Sequence, residues 1–227
     1  MSTFIRPLRN HRFRNTIAYI VVFFASALSL SGCDDSSNDS GNTLVSSFTV
    51  LSGKITNWNS GGRYYANFGL SYPDSFISFG KSAIDTNGNF SIVLKTPPDS
   101  LLIPVLPVNT MYCTVNFSLS NPEAKKKEAG IYLYDSTGFC GTVFYANYFS
   151  VHSGKEFTES YLYFNSTFRL IGTEVCTYSS QTFRSVYDYN ALKGWNRIYC
   201  SSDTCRTGDS PEGGEWICHI WEKGYKK

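Results

Sequence analysis

The chain has 227 residues, with 20 Lys and Arg against 18 Asp and Glu, and a formal net charge of +2. Arg6, Arg9, Arg12 and Arg14 precede Cys33 and no acid does, so from Cys33 onward 16 bases face 18 acids and the sign reverses. The charge therefore gives no footing for a nucleic-acid surface, and no stretch interleaves basic and aromatic residues. The 17 Phe and 16 Tyr, set among abundant Ser, Thr and Gly, point instead to β structure.

Between Arg14 and Asp34 no residue is charged. A basic start, an apolar core and the small residues Ser31 and Gly32 follow the three-part order of a secretory signal. The run is marginally short for a membrane span of roughly 20 apolar residues, and it stops at a Cys instead of a basic flank. Leu30-Ser31-Gly32-Cys33 resembles the lipobox of bacterial lipoproteins. That resemblance implies removal of residues 1–32 and lipidation of Cys33, with the folded part held at a periplasmic or extracellular face of the cell envelope. Each buried acyl methylene contributes about 0.8 kcal/mol, so several chains hold a domain firmly on a bilayer. Asp34 and Asp35 are similar to the inner-membrane retention signal of enteric lipoproteins, and they equally suit the start of a polar tether. Residues 33–46 read as that tether, because Asp34 to Thr43 includes no apolar side chain.

From Ser47 the period becomes two. Tyr64, Ala66, Phe68, Leu70 and Tyr72 share one face; Phe90, Ile92 and Leu94 share another, as do Cys113, Val115, Phe117 and Leu119. Turns are expected at Asn59-Ser60-Gly61-Gly62, at Asp85-Thr86-Asn87-Gly88 and at Pro97-Pro98-Asp99. Over residues 47–105, Ser52-Gly53-Lys54-Ile55 and the run from Asp85 to Ile92 ahead of Pro97 resemble the carboxypeptidase regulatory-like, transthyretin-like β-sandwich. The resemblance implies an accessory or adhesive module and carries no catalytic residue. Asp85-x-Asn87-Gly88 also matches part of a calcium loop, but no closing Glu follows at EF-hand spacing.

Residues 47–120 thus form an N-terminal β-sandwich-like half. The phrase Asn121-Pro122-Glu123 through Gly130 predicts a short helix, with Asn121 capping and Pro122 in the first turn, and residues 121–130 make a connecting segment. Its three Lys, flanked by Glu123 and Glu128, read as a solvated face. Residues 131–227 return to strands as a Cys-rich C-terminal half. The fold class expected is all-β, a disulfide-stapled sandwich, either one large or two small.

Six Cys remain after Cys33: Cys113, Cys140, Cys176, Cys200, Cys205 and Cys218. In an exported chain that even number predicts up to three disulfides, with Cys200 bonded to Cys205 or Cys218 as the local choice. No C-x2-C pair occurs, and only His152 and His219 follow the signal, so no metal or cofactor site is legible. Nor is there a nucleophile-elbow, zinc-protease, phosphate-loop or dinucleotide motif. Both histidines sit in ordinary turn or strand contexts. Glu156, Glu159, Glu174 and Asp188 are carboxylates that a fold could pair for glycoside cleavage. Tyr64, Tyr65, Tyr145, Tyr148, Tyr161, Tyr163, Trp216 and Trp221 could stack on sugars or serve simply as core and strand residues. The expectation is a membrane-anchored envelope lipoprotein and no enzyme: a noncatalytic binding or assembly component. Its partners would be the bilayer, through Cys33, and an envelope protein or glycan, with no nucleic acid. The alternative is a glycan-active hydrolase.

Overall fold

In the computed structural model the described residues are 47–56, 58–60, 63–72, 75–106, 112–147, 157–178, 181–201, 203–209 and 213–221. The lipobox, Cys33, the tether, Tyr148, His152 and Glu156 lie outside them.

Alternation of side chains turns this chain into strands. The first seven are β1 (Val50–Lys54), β2 (Tyr64–Ser71), β3 (Phe76–Ile84), β4 (Asn89–Val93), β5 (Ile103–Pro104), β6 (Cys113–Leu119) and β7 (Lys125–Asp135). The rest are β8 (Gly138–Asn147), β9 (Phe157–Phe164), β10 (Phe168–Tyr178), β11 (Gln181–Ala191), β12 (Gly194–Ser201), β13 (Thr204–Thr207) and β14 (Glu215–Ile220). A single 3-10 turn, Asp99–Leu101, is the one helical element among the described residues. The product is an all-β, disulfide-bearing sandwich. One sheet runs β3-β2-β7-β8-β9-β12-β13-β11-β10-β6, with β14 added on β8 and β5 on β7, while β1 and β4 form a separate antiparallel ribbon.

The helix expected over residues 121–130 is absent. The Glu123 N–H donates to the Asn121 side chain at 3.2 Å and the Ala124 N–H to the Asn121 carbonyl at 3.1 Å, closing a turn, and Lys125 then opens β7. Lys, Glu and Ala favour helix, but two turns are too short to offset the cost of nucleation, and the neighbouring strands supply a backbone partner on each edge. Lys126 to Ala129 pair with β9 and Ile131 to Asp135 with β8, while the other edge of β7 holds β5 and β2. One strand thereby joins residues on both sides of the Lys-rich phrase into the same sheet.

β9 is buried on both faces. Tyr161 and Tyr163 point into a core with Leu51, Phe68, Phe79, Phe90, Ile92 and Trp195, supplied largely by β1 to β4 and β12. Leu162 and Phe164 point the other way, onto Phe168, Leu170, Tyr189, Ala191 and Ile198. Each large side chain so buried contributes about 1.5–3 kcal/mol, and a strand with two apolar faces must lie between two layers.

The Asp85 turn is held by its own carboxylate. Oδ1 accepts the Asn87 and Asn89 N–H groups at 2.8 Å each, and Oδ2 accepts the Asn89 side-chain amide at 2.8 Å. The hydrogen bonds from Asn89 hold the carboxyl below its ordinary range. Gly88, at φ 84°, supplies the left-handed residue the turn needs. The oxygens that a calcium loop would offer are here spent on N–H donors.

Two disulfides form where the ladder places Cys opposite Cys: Cys113–Cys176 ties β6 to β10, and Cys200–Cys205 ties β12 to β13. Cys140 and Cys218 are thiols. They stand on neighbouring strands, but the Cys140 carbonyl accepts the Trp221 N–H, whereas Cys218 faces Val143. A three-residue offset is about 10 Å along a strand, beyond the ~7 Å reach of a disulfide.

Burial pushes the hydroxyls of Tyr161, Tyr187 and Tyr189 well above the ordinary value of 10.0, and the hydrogen bond from Tyr187 to Glu174 at 2.9 Å adds to the effect there. A phenol whose folded-state value is raised contributes stability that is fully present below pH 10 and is lost as pH rises toward the folded value. Urea-unfolding stability is thus expected to hold to about pH 9 and fall steeply above 10, with these three tyrosines ionising only as the chain unfolds. Absorbance at tyrosinate wavelengths, followed alongside circular dichroism, checks this. Ionisation of every Tyr near pH 10 with no loss of fold would contradict it.

Candidate functional site

Five strands and one loop converge beside the first core to line a cleft of about 270 Å³ with Ser52 (β1), Tyr145 (β8), Glu159 (β9), Arg197 (β12), Asp209 and Trp216 (β14). The ladders explain the convergence. Trp216 lies opposite Tyr145 in the β14–β8 pair, and Arg197 lies opposite Tyr161, two residues along from Glu159, in the β12–β9 pair. The indole of Trp216 rests on the backbone of Gly53, where a Cβ would overlap it. Phe90 meets that indole edge-on at 4.9 Å, Tyr145 contacts it at 5.4 Å, and Tyr161 stacks on it at 6.3 Å with ring planes 10° apart. The aromatic wall is therefore rigid.

Its charges centre on one guanidinium. Arg197 Nε lies 3.7 Å from Glu159 Oε1, and Nη1 lies 3.8 Å from Asp209 Oδ1. The Glu159 side chain is 2% exposed, while that of Asp209 is 75% exposed at the mouth. Burial, and then the Glu159 charge, raise the Tyr145 and Tyr161 hydroxyls, with Arg197 partly opposing. The Tyr161 hydroxyl is shielded from solvent near Glu159, without a hydrogen bond of good geometry.

A second feature lies on the outer face. Tyr132 and Tyr134 alternate with core-facing Ile131 and Leu133 on β7, and their rings join a strip from Phe76 to Trp221. Phe76 meets Tyr132 at 5.2 Å and Tyr134 at 5.6 Å; Phe139 meets those two at 6.0 and 5.7 Å and Trp221 at 4.8 Å. Phe76 reaches β7 across β2 because Gly69 has no side chain there; a Cβ at Gly69 would lie 2.9 Å from the Phe76 ring. Phe139 is 42% exposed and Trp221 45% exposed.

Of the carboxylates named from the sequence, Glu159 enters the cleft. Glu174 accepts a hydrogen bond from Tyr187, and Asp188 pairs with Arg169 on the surface. His219 is exposed on β14. Of the aromatics, Tyr145 and Trp216 line the cleft, and Tyr161 and Tyr163 are core. Tyr64 packs against Trp58, Tyr65 carries the Lys81 ammonium 4.1 Å above its ring, and Trp221 ends the outer strip. Glu174 also lies close to Cys113 and Cys176, but their disulfide removes both sulfurs from metal ligation. The sequence points to Ser52 only through the sandwich resemblance and does not mark Arg197 or Asp209, which carry no local signal, nor Phe76, Tyr132, Tyr134 and Phe139, as site residues. The strip did leave a trace: Ile131-Tyr132-Leu133-Tyr134 is apolar on both faces of a strand. No protein-family model, curated protein or solved structure matches the chain.

Proposed function

We propose that this protein is an exported bacterial lipoprotein, anchored in the cell envelope through Cys33, whose β-sandwich is a noncatalytic binding component for another envelope protein. The outer aromatic strip carries that reading. Five rings in mutual contact, with Phe139 and Trp221 each more than two-fifths exposed, leave apolar surface of the kind that marks interaction sites. Aromatic anchors free of charge are also what dominate protein interfaces. The Phe139–Trp221 and Phe76–Tyr132 pairs meet edge to face, at 89° and 76°, so the rings present staggered edges that suit protein side chains more than a flat sugar stack.

In intact cells, crosslinking of the full chain followed by mass identification is expected to yield one reproducible partner protein. That partner should be lost when Phe139→Ser and Trp221→Ser are combined. An unchanged crosslink pattern in that variant would refute the strip as the docking surface. Separately, Cys33→Ser is expected to release the protein from membranes; an uncleaved, membrane-bound product would refute the lipid anchor. A glycan-active hydrolase is the second reading, favoured by Glu159 and Asp209 flanking one cleft. Against it, the Arg197 guanidinium stands between the two carboxylates, 3.7 Å from Glu159 and 3.8 Å from Asp209, in the space a scissile bond would need.

A further inference from the structure

The cleft on the opposite side of the β8–β14 region has a chemistry of its own. Arg197 Nε lies 3.7 Å from Glu159 and Nη1 lies 3.8 Å from Asp209, so one guanidinium is flanked by two carboxylates. A ligand that enters this cleft must present donors to Glu159 and Asp209 and acceptors to Arg197. An ammonium group offers donors alone, and a phosphate or carboxylate is repelled by two acids for each guanidinium. A hydroxyl both donates and accepts, and neighbouring hydroxyls on one ring can each touch a carboxylate and the guanidinium beside it. Trp216 and Tyr145 supply the apolar wall against which the C–H face of such a ring packs, and the contacts of Trp216 with Gly53, Phe90 and Tyr161 hold that wall in place before any ligand arrives. At about 270 Å³ the cleft falls just below the usual range for drug-sized ligands, so it suits one ring. Glu159, with its side chain 2% exposed, gives the site a fixed acceptor at its floor, while exposed Asp209 stands at the entrance.

We propose that the cleft formed by Ser52, Tyr145, Glu159, Arg197, Asp209 and Trp216 is a binding site for a single neutral sugar ring. Glu159 and Asp209 accept from its hydroxyls, Arg197 donates to them, and Trp216 and Tyr145 cover one face. This site is separate from the aromatic strip, and its occupancy is independent of whether the strip docks a protein.

The test uses the full chain in detergent, titrated by calorimetry and Trp fluorescence. The probes are glucose, galactose, mannose and N-acetylglucosamine, with choline and inorganic phosphate for contrast. At least one sugar is expected to bind saturably and to perturb Trp fluorescence, with choline and phosphate silent. Asp209→Asn, at a side chain 75% exposed, should weaken binding by about tenfold, the loss expected for a hydrogen bond to a charged group. Glu159→Gln should weaken it further where the variant folds. Phe139→Ser should leave sugar binding unchanged, which separates failure of this site from failure of the docking surface. Binding of choline or phosphate alone, no saturable binding of any of the four sugars, or an Asp209→Asn variant with undiminished affinity would each overturn the proposal. Release of nitrophenol from nitrophenyl glycosides of the same sugars would overturn its noncatalytic character.

Discussion

Trp195→Ala is expected to lower the unfolding free energy by roughly 3–5 kcal/mol, the range for emptying a large buried aromatic site. Trp195 is 3% exposed and sits where three structural levels meet. Its ring contacts Phe68 at 4.8 Å, Tyr163 at 5.5 Å and Phe79 at 5.7 Å, joining β2, β9 and β3. Its indole N–H donates to the Lys95 carbonyl at 3.1 Å, which pins the chain just after β4. Its own backbone carbonyl accepts the Phe48 N–H at 3.0 Å, fastening the entry to β1. The variant thus loses packing and a part-buried hydrogen bond together, with a cavity between layers that rigid sheets do not close. Trp195→Phe retains most of the packing and loses the hydrogen bond, so a smaller cost of about 1–3 kcal/mol is expected. Since natural domains have only about 5–15 kcal/mol of stability, the Ala variant should populate unfolded chain at physiological temperature. Urea unfolding followed by circular dichroism measures both variants. A loss below about 1 kcal/mol for Trp195→Ala would show that the site collapses in a way these packed sheets do not suggest.

The second large effect concerns the disulfides. Cys113 and Cys176 are 63 residues apart, whereas Cys200 and Cys205 are 5 apart. In the chain-entropy picture the longer closed loop restricts the unfolded ensemble more, giving about 4 kcal/mol against about 2 kcal/mol. Replacing Cys113 and Cys176 together with Ser should therefore cost about twice as much as replacing Cys200 and Cys205. The positions differ too. Cys113–Cys176 lies where, among the described residues, β6 pairs with β10 alone, so its loss also loosens a strand that they hold from one side. Thermal unfolding of the two double variants compares them directly. Thiol titration of the denatured, unreduced chain, with Cys33 lipidated, should find the two thiols of Cys140 and Cys218; none would mean that these two pair despite their offset.

Strand character was legible in the sequence, because a period of two is a local property. The faces of β2 and β4, the turn at Asp85 with Gly88, and the all-β class all follow from neighbours within a few residues. The Lys-rich phrase after Asn121 misled for the same reason: its local preferences favour a helix, but two turns of helix gain little on their own and four neighbouring strands offered hydrogen bonds to both edges. Cysteine number announced disulfides, but which partners meet depends on ladder register, and register joins residues as distant as Cys113 and Cys176. The cleft shows the same division. Tyr145, Glu159 and Trp216 could be named from their residue types, yet Ser52, Arg197 and Asp209 gained meaning as site residues only when β1, β12 and the loop after β13 were brought beside them. Composition and alternation, which act over a few residues, determined that this chain would be a β-sandwich. Side-chain volume, glycines such as Gly53 and Gly69 that let aromatic rings cross the backbone, and long-range pairing decided where its aromatic strip and its charged cleft would form.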